Sequence, residues 1–189
     1  TTGIAETLDH ARNSLTQRIL GYNCEGFKSA AKETKSYGTI KMNIANMKEG
    51  DIAGLSVFQD PYSYIGVKMV DGKKRLYYYH SEYDDKAATD QLGDEVTGDV
   101  IFLRACVSFV SNTVDYYYSL DNEKYTKFGN GMKPRFTLKI FVGNRFYIFN
   151  YATKSNGGYV DIDWFSTEPE YSEEMFFGEG VLNSFTVED

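Results

Sequence analysis

The chain has 189 residues, enough to bury a full core as one domain, and carries 20 Lys and Arg against 27 Asp and Glu, for a formal charge of −7. An acidic chain repels phosphate backbones and anionic lipid, which argues against nucleic acid and membranes as partners, and no apolar run approaches the ~20 residues that span a bilayer. Aromatic residues make up 16%, with 16 Tyr and 13 Phe; Tyr couples a flat apolar face to a polar tip and also favours strands, so part of this excess needs no function.

The chain opens "TTGIAETLDH", with neither Met nor a signal peptide, and reads as a piece cut from a longer protein, from which export cannot be judged. A helical turn over residues 5–10 precedes a strand-like run at 14–20, "SLTQRIL". Residues 38–47 alternate Ile40, Met42 and Ile44 with Lys41 and Asn43, the period of a half-buried strand. After a turn at 48–51, runs at 52–59 and 62–70 flank Asp60-Pro61, a reversal, and "DGKK" at 71–74 is a hairpin turn before "RLYYYHS" at 75–81. The polar, acidic segment 82–95 reads as an irregular loop. Runs at 99–111 and 113–121 turn at Asn112, and "NEKYTKFGNGM" supplies a further set of turns. A long run over 136–153 and another at 159–165 are joined by "KSNGG". The acidic stretch 169–189 reads as an extension, whose "VLNSFTVE" would make a final strand or a terminal arm, beyond a module spanning 1–168. Ten or more short strands with almost no helical period and no fixed repeat predict an all-β sandwich of two antiparallel sheets, jelly-roll-like.

Reactive constellations are scarce. The two histidines, His10 and His80, lie in no zinc-ligand spacing, and neither a G-x-S-x-G nor a Walker motif is present. Cys24 and Cys106 could form at most one disulfide and read first as two free, semi-buried thiols; nothing local makes either a nucleophile. Asp161 and Asp163 alternate with Ile162 on one strand face. They read first as a solvated face, then as ligands for a structural Ca²⁺, and last as the paired acids of a sandwich-fold hydrolase or lyase.

Binding chemistry is better represented. A sugar ring offers a C–H face and a rim of hydroxyls, which aromatic planes and Arg, Asn or Gln side chains match on a preformed surface. "RLYYYHS" places Tyr77 and Tyr79 on one face and Tyr78 on the other; "DYYYSLD" does the same with Tyr116 and Tyr118 against Tyr117. In a sandwich one of those faces is core and the other open. The run "FVGNRFYIFNYAT" sets Asn144, Phe146 and Ile148 against Arg145, Tyr147 and Phe149, and "SLTQR" adds Gln17 and Arg18. Each such polar group needs a partner if buried, so these residues form an internal network or line a cleft.

Four blocks, residues 9–24, 48–68, 116–129 and 141–165, with "NRFYIFNYAT" and "GGYVDID" the most telling, resemble the C-terminal concanavalin A-like sandwich of glycoside hydrolase family 43 enzymes, chiefly β-xylosidases and α-arabinofuranosidases. The resemblance runs from about residue 8 to residue 165. It implies a module without catalytic residues, ancillary to a five-bladed propeller elsewhere in a parent glycoside hydrolase, and outside the cell if it serves polysaccharide degradation. The expected function is binding of xylan or related hemicellulose through Gln17, Arg18, Tyr64, Tyr77, Tyr79, Asn144, Arg145, Asn150 and Tyr151, with no cofactor required and a structural Ca²⁺ at Asp161 and Asp163 as an option. The alternative is a purely structural module docked on the propeller. Two departures stand out: Tyr22 where the family usually has Pro, and Tyr147 where a small residue is common.

Overall fold

Alternation of apolar and polar residues becomes strand after strand in the computed structural model, which describes residues 34–82, 88–135 and 144–171. Among them are β1 (Thr34–Asn43), β2 (Asp51–Phe58), β3 (Tyr62–Val70), β4 (Lys73–Ser81), β5 (Ala88–Glu95), β6 (Val100–Ser108), β7 (Thr113–Ser119), β8 (Thr126–Lys127), β9 (Arg145–Ala152) and β10 (Asp161–Tyr171). They form two five-stranded sheets, ordered β10-β1-β6-β7-β8 and β5-β4-β3-β2-β9, and every pairing is antiparallel. The predicted turn at 5–10, strand at 14–20 and terminal segment lie outside the described residues.

Facing apolar rows close the space between the sheets. Ile40, Met42, Leu103 and Ile101 of one sheet meet Leu55, Val57, Ile65 and Val67 of the other, all fully buried. Asp71 and Gly72 both hold positive φ, 53° and 71°, as the tight β3–β4 hairpin requires.

Two elements differ from the sequence expectation. Residues 88–95 are not loop but the edge strand β5, paired to β4 from Ser81↔Ala88 to Arg75↔Glu95. All but one of its residues are exposed, so it carries no apolar alternation to read; its backbone ladder holds it, with Asp90 and Glu95 accepting from Tyr77 and Lys73 of β4. β10 runs on to Tyr171, past residue 165, because β1 pairs with it throughout, Thr34↔Tyr171 included. Glu168, Pro169 and Glu170 near its end are exposed, as on a strand at the edge of its sheet.

One polar side chain crosses the core. Tyr116 of β7 is completely buried, and its hydroxyl accepts a hydrogen bond from the Val57 N–H (3.1 Å) and donates to the Ser63 carbonyl (2.7 Å). Val57 and Ser63 are opposed in the β2–β3 register, so the hydroxyl of one sheet bridges two backbone groups of the other. The Ser63 hydroxyl lies 2.9 Å away and completes the set. Tyr78, reaching the opposite way from β4, donates to the Gly131 carbonyl at 2.8 Å.

Tyr116→Phe leaves Val57 N–H without its partner in a dry core. It should destabilise the chain by about 1–3 kcal/mol in urea denaturation, while Tyr117→Phe on the opposite face of β7 shifts the midpoint little. Burial also pushes the Tyr78 phenol from 10.0 up to about 12 and raises Tyr116 as well. The unfolded chain releases those protons near pH 10 while the folded chain keeps them. Stability is therefore full below pH 10 and falls as pH rises through about 12, which denaturation midpoints across that window would record alongside tyrosinate absorbance.

Candidate functional site

The outer face of the β5-β4-β3-β2-β9 sheet carries a second aromatic cluster. Ile52, Tyr64, Tyr77 and Phe149 are buried there, with Tyr62, Tyr79 and Tyr151 packed against them. The register explains how rings gather on an open face. Gly54 and Gly66 stand opposite each other, and Gly54 also opposes Phe149. A Cβ on Gly54 would lie 2.1 Å from the Ile65 carbonyl oxygen, so the position admits only glycine, and the missing side chains leave a floor across the sheet. Tyr64 lies across it: from β3 its hydroxyl comes within 2.9 Å of the Tyr151 hydroxyl on β9, two strands away. Phe149 meets the Tyr64 ring edge-on at 4.6 Å, and Tyr79 stacks on it at 5.1 Å.

The centre of this face is sealed. Tyr64 is 7% exposed and Tyr77 5%. Lys68 sits over the Tyr77 ring at 4.7 Å, and the Tyr77 hydroxyl donates to Asp90 at 3.1 Å. Burial raises the phenol pKa of Tyr64, Tyr77 and Tyr151 alike. Toward the β2–β3 turn the rings open out. Phe58 is 43% exposed and lies 5.2 Å from Tyr62 and 5.0 Å from Tyr147, and Tyr62 lies 5.8 Å from Tyr79. Arg145 is directly opposite Phe58 in the ladder, and its Nε is buried with no hydrogen-bond partner among the described residues. The result is an arc of four accessible rings, Tyr79–Tyr62–Phe58–Tyr147, ending beside a guanidinium.

Of the residues singled out in the sequence, Tyr64, Tyr77, Tyr79, Arg145 and Tyr151 come together on this face. Tyr64 and Tyr77 serve it as packing beneath the surface rather than as free planes. Asn144 and Asn150 do not join them. They are in phase with Phe146 and Ile148, which belong to the core between the sheets, and the Oδ1 of each is buried without a partner among the described residues. Gln17 and Arg18 lie outside the described residues, as does Cys24; Cys106 is a buried free thiol on β6. Asp161 and Asp163 are on β10 of the other sheet, both exposed, and Asp163 pairs with Lys41. Among the described residues no three His, Cys, Asp or Glu side chains gather as metal ligands would. Phe58 and Tyr62 escaped the sequence reading, and Tyr147 was noted there but not offered as a sugar contact. Their signal was the phase they share with Tyr64 and Arg145, but the register that aligns three strands into one arc is not written in any of them.

Against known proteins, the model of the β-xylosidase C-terminal concanavalin A-like domain matches residues 31–168. The chain is 29% identical over 159 residues to a β-xylosidase of Formosa agariphila, covering 82% of this chain but 23% of that protein. A bifunctional GH43-CE protein of Bacteroides eggerthii superposes with a TM-score of 0.65 at 37% identity, over 73% of this chain and 18% of that one. A GH43 glycoside hydrolase engineered to display both endo-xylanase and exo-arabinofuranosidase activity gives 0.64 at 27% identity, over 71% and 29%. A functionally unknown protein of Saccharomyces cerevisiae shares the fold alone, with a TM-score of 0.53 at 15% identity, and there the match covers 73% of its chain. The chain thus spans less than a third of these GH43 relatives, and it corresponds to one module of them. With two antiparallel sheets in this order and the family match across most of its length, the chain belongs to the family of C-terminal concanavalin A-like domains of β-xylosidase.

Proposed function

We propose that this sandwich is a non-catalytic accessory module of a glycoside hydrolase and that its outer aromatic face holds a xylan-class polysaccharide. The observation that carries the reading is the arc of Tyr79, Tyr62, Phe58 and Tyr147, with neighbouring ring centroids 5.0–5.8 Å apart and Arg145 at its end. Accessible rings take the C–H faces of successive sugars, and the guanidinium donates to hydroxyl oxygens. Tyr64 and Tyr77 hold the rings above them in place, which lowers the ordering cost of binding. The role calls for no cofactor and no reacting group.

A second reading has its own support. Phe58 and Leu92 are 43% and 42% exposed on the same face, and its centre is already closed, as on a surface made to pack against another domain. On that reading the face docks on the catalytic domain of the parent enzyme and binds no sugar alone.

Affinity electrophoresis in soluble xylan, with arabinan and a β-glucan alongside, separates the two. The chain should be retarded in xylan, and Tyr79→Ala and Arg145→Ala should each restore free mobility, while Asp161→Asn changes nothing. Free mobility of the wild-type chain in every polysaccharide would overturn sugar binding at this face and leave docking as the role.

A further inference from the structure

The end of the sandwich holds a cleft that the aromatic face does not use. It has a volume of about 410 Å³ and lies where the Pro61 turn, the end of β4, the start of β7 and the chain from Asn130 to Lys133 converge. That volume is toward the lower end of the roughly 300–1,000 Å³ that small-molecule sites occupy. Pro61, Val114 and Met132 give it an apolar floor. His80, Glu82, Asp115, Asn130 and Lys133 supply the walls.

Several bonds fix its shape in advance. Val114 and Met132 exchange both backbone hydrogen bonds, at 2.7 and 2.9 Å, and the Gly131 carbonyl is held by the Tyr78 hydroxyl at 2.8 Å. Beneath the floor the Ser63 hydroxyl links the Tyr116 hydroxyl, at 2.9 Å, to the Met132 sulfur at 3.4 Å. The cleft is distinct from the outer face. His80 follows Tyr79 directly but alternates with it, in phase with Leu76 and Tyr78 of the core, so the two residues serve opposite sides of one sheet.

The lining selects a class of ligand. Asp115 is matched by Lys127 at 2.8 Å; Glu82 lies 3.8 Å from His80 Nδ1, and its formal charge is cancelled by that of Lys133, which lines the same cleft. Balanced walls give no net field for an anion or a cation. They do offer both kinds of hydrogen-bonding group: carboxylate acceptors, ammonium and amide donors, and the His80 imidazole, whose buried Nε2 has no partner among the described residues. A neutral molecule with many hydroxyls and an apolar face satisfies both the walls and the floor. We infer that the cleft between Pro61, His80, Asp115 and Asn130–Lys133 is a second binding site, for a neutral polyhydroxylated ring of mono- or disaccharide size. The inference shares a ligand class with the reading of the outer face but none of its residues.

The test is a titration of the isotope-labelled 189-residue chain with xylobiose, arabinobiose and cellobiose, followed by amide chemical shifts, with inorganic phosphate as the charged control. At least one disaccharide should shift the amides of Thr113–Asp115 and Gly131–Lys133 saturably, and phosphate should not. Asn130→Ala and Lys133→Ala, both at exposed positions, should each weaken that binding about tenfold with the spectrum otherwise folded. Tyr79→Ala should leave the cleft shifts in place, which keeps this result apart from the fate of the outer face. Absence of shifts at those amides for all three sugars, shifts confined to Tyr62 and Tyr79, or an equal response to phosphate would each overturn the site.

Discussion

The Tyr116 hydroxyl is the constraint on which the remaining architecture turns. An apolar core fixes that two sheets meet but is tolerant about how they slide, because hydrophobic burial is non-directional. A phenol in a dry core is not tolerant: it must find its donor and acceptor or lose free energy. Tyr116 finds both on the β2–β3 hairpin, at Val57 and Ser63, and so pins the second sheet to one point of the first. That hairpin's turn carries Phe58 and Tyr62 outward and Pro61 toward the sandwich end. One buried hydroxyl therefore positions the start of the aromatic arc and the floor of the cleft together, and neither surface can shift without the core shifting with it.

The outer face shows what happens when a sheet has apolar rows on both sides. β2 is buried along seven consecutive residues, a pattern expected of a strand covered above and below. Here the upper cover is made by the sheet itself: Tyr64 is laid over the Gly54–Gly66 floor and roofed by Tyr79 and Phe149. This small second core holds its rings by mutual packing, so only those at its margin are available to anything else. The same packing explains why the chemistry of the face is one of shape and hydrogen bonding. Burial raises the phenols of Tyr64 and Tyr77 away from ionisation, and the Arg145 side chain stands at the end of the arc, opposite Phe58.

Much of this was legible in the residues. Ile40, Met42 and Ile44 alternate clearly enough to declare β1, the Asp71-Gly72 pair declares its hairpin, and the Tyr77/Tyr78 alternation declares that these rings serve opposite faces, without saying which face is core. Three things were not. β5 is held by backbone bonds and exposes its side chains, so its sequence carries no trace of pairing. The exposure of Tyr64 and Tyr77 depends on rings contributed by β4 and β9, which only cross-strand register brings near. Asn144 and Arg145 alternate visibly in the sequence, but which of their faces is core is decided only by the assembled sheets: Arg145 goes out and both asparagines go in.

On the proposed reading, these features bear on what an accessory domain can contribute to an enzyme. A tethered module need not bind tightly. A linker that keeps two sites within reach gives an effective concentration in the millimolar range, so a weak grip on the polymer already shifts where a catalytic partner spends its time. Weak binding also permits release as the chain is shortened. A shallow, rigid arc with one guanidinium suits that role better than a deep, many-bonded groove would, since its rings are ordered beforehand and few polar groups must be stripped of water. The preformed arc and the packed tyrosines under it are then two parts of one design: the sealed centre gives up contact area and in return holds the rim still.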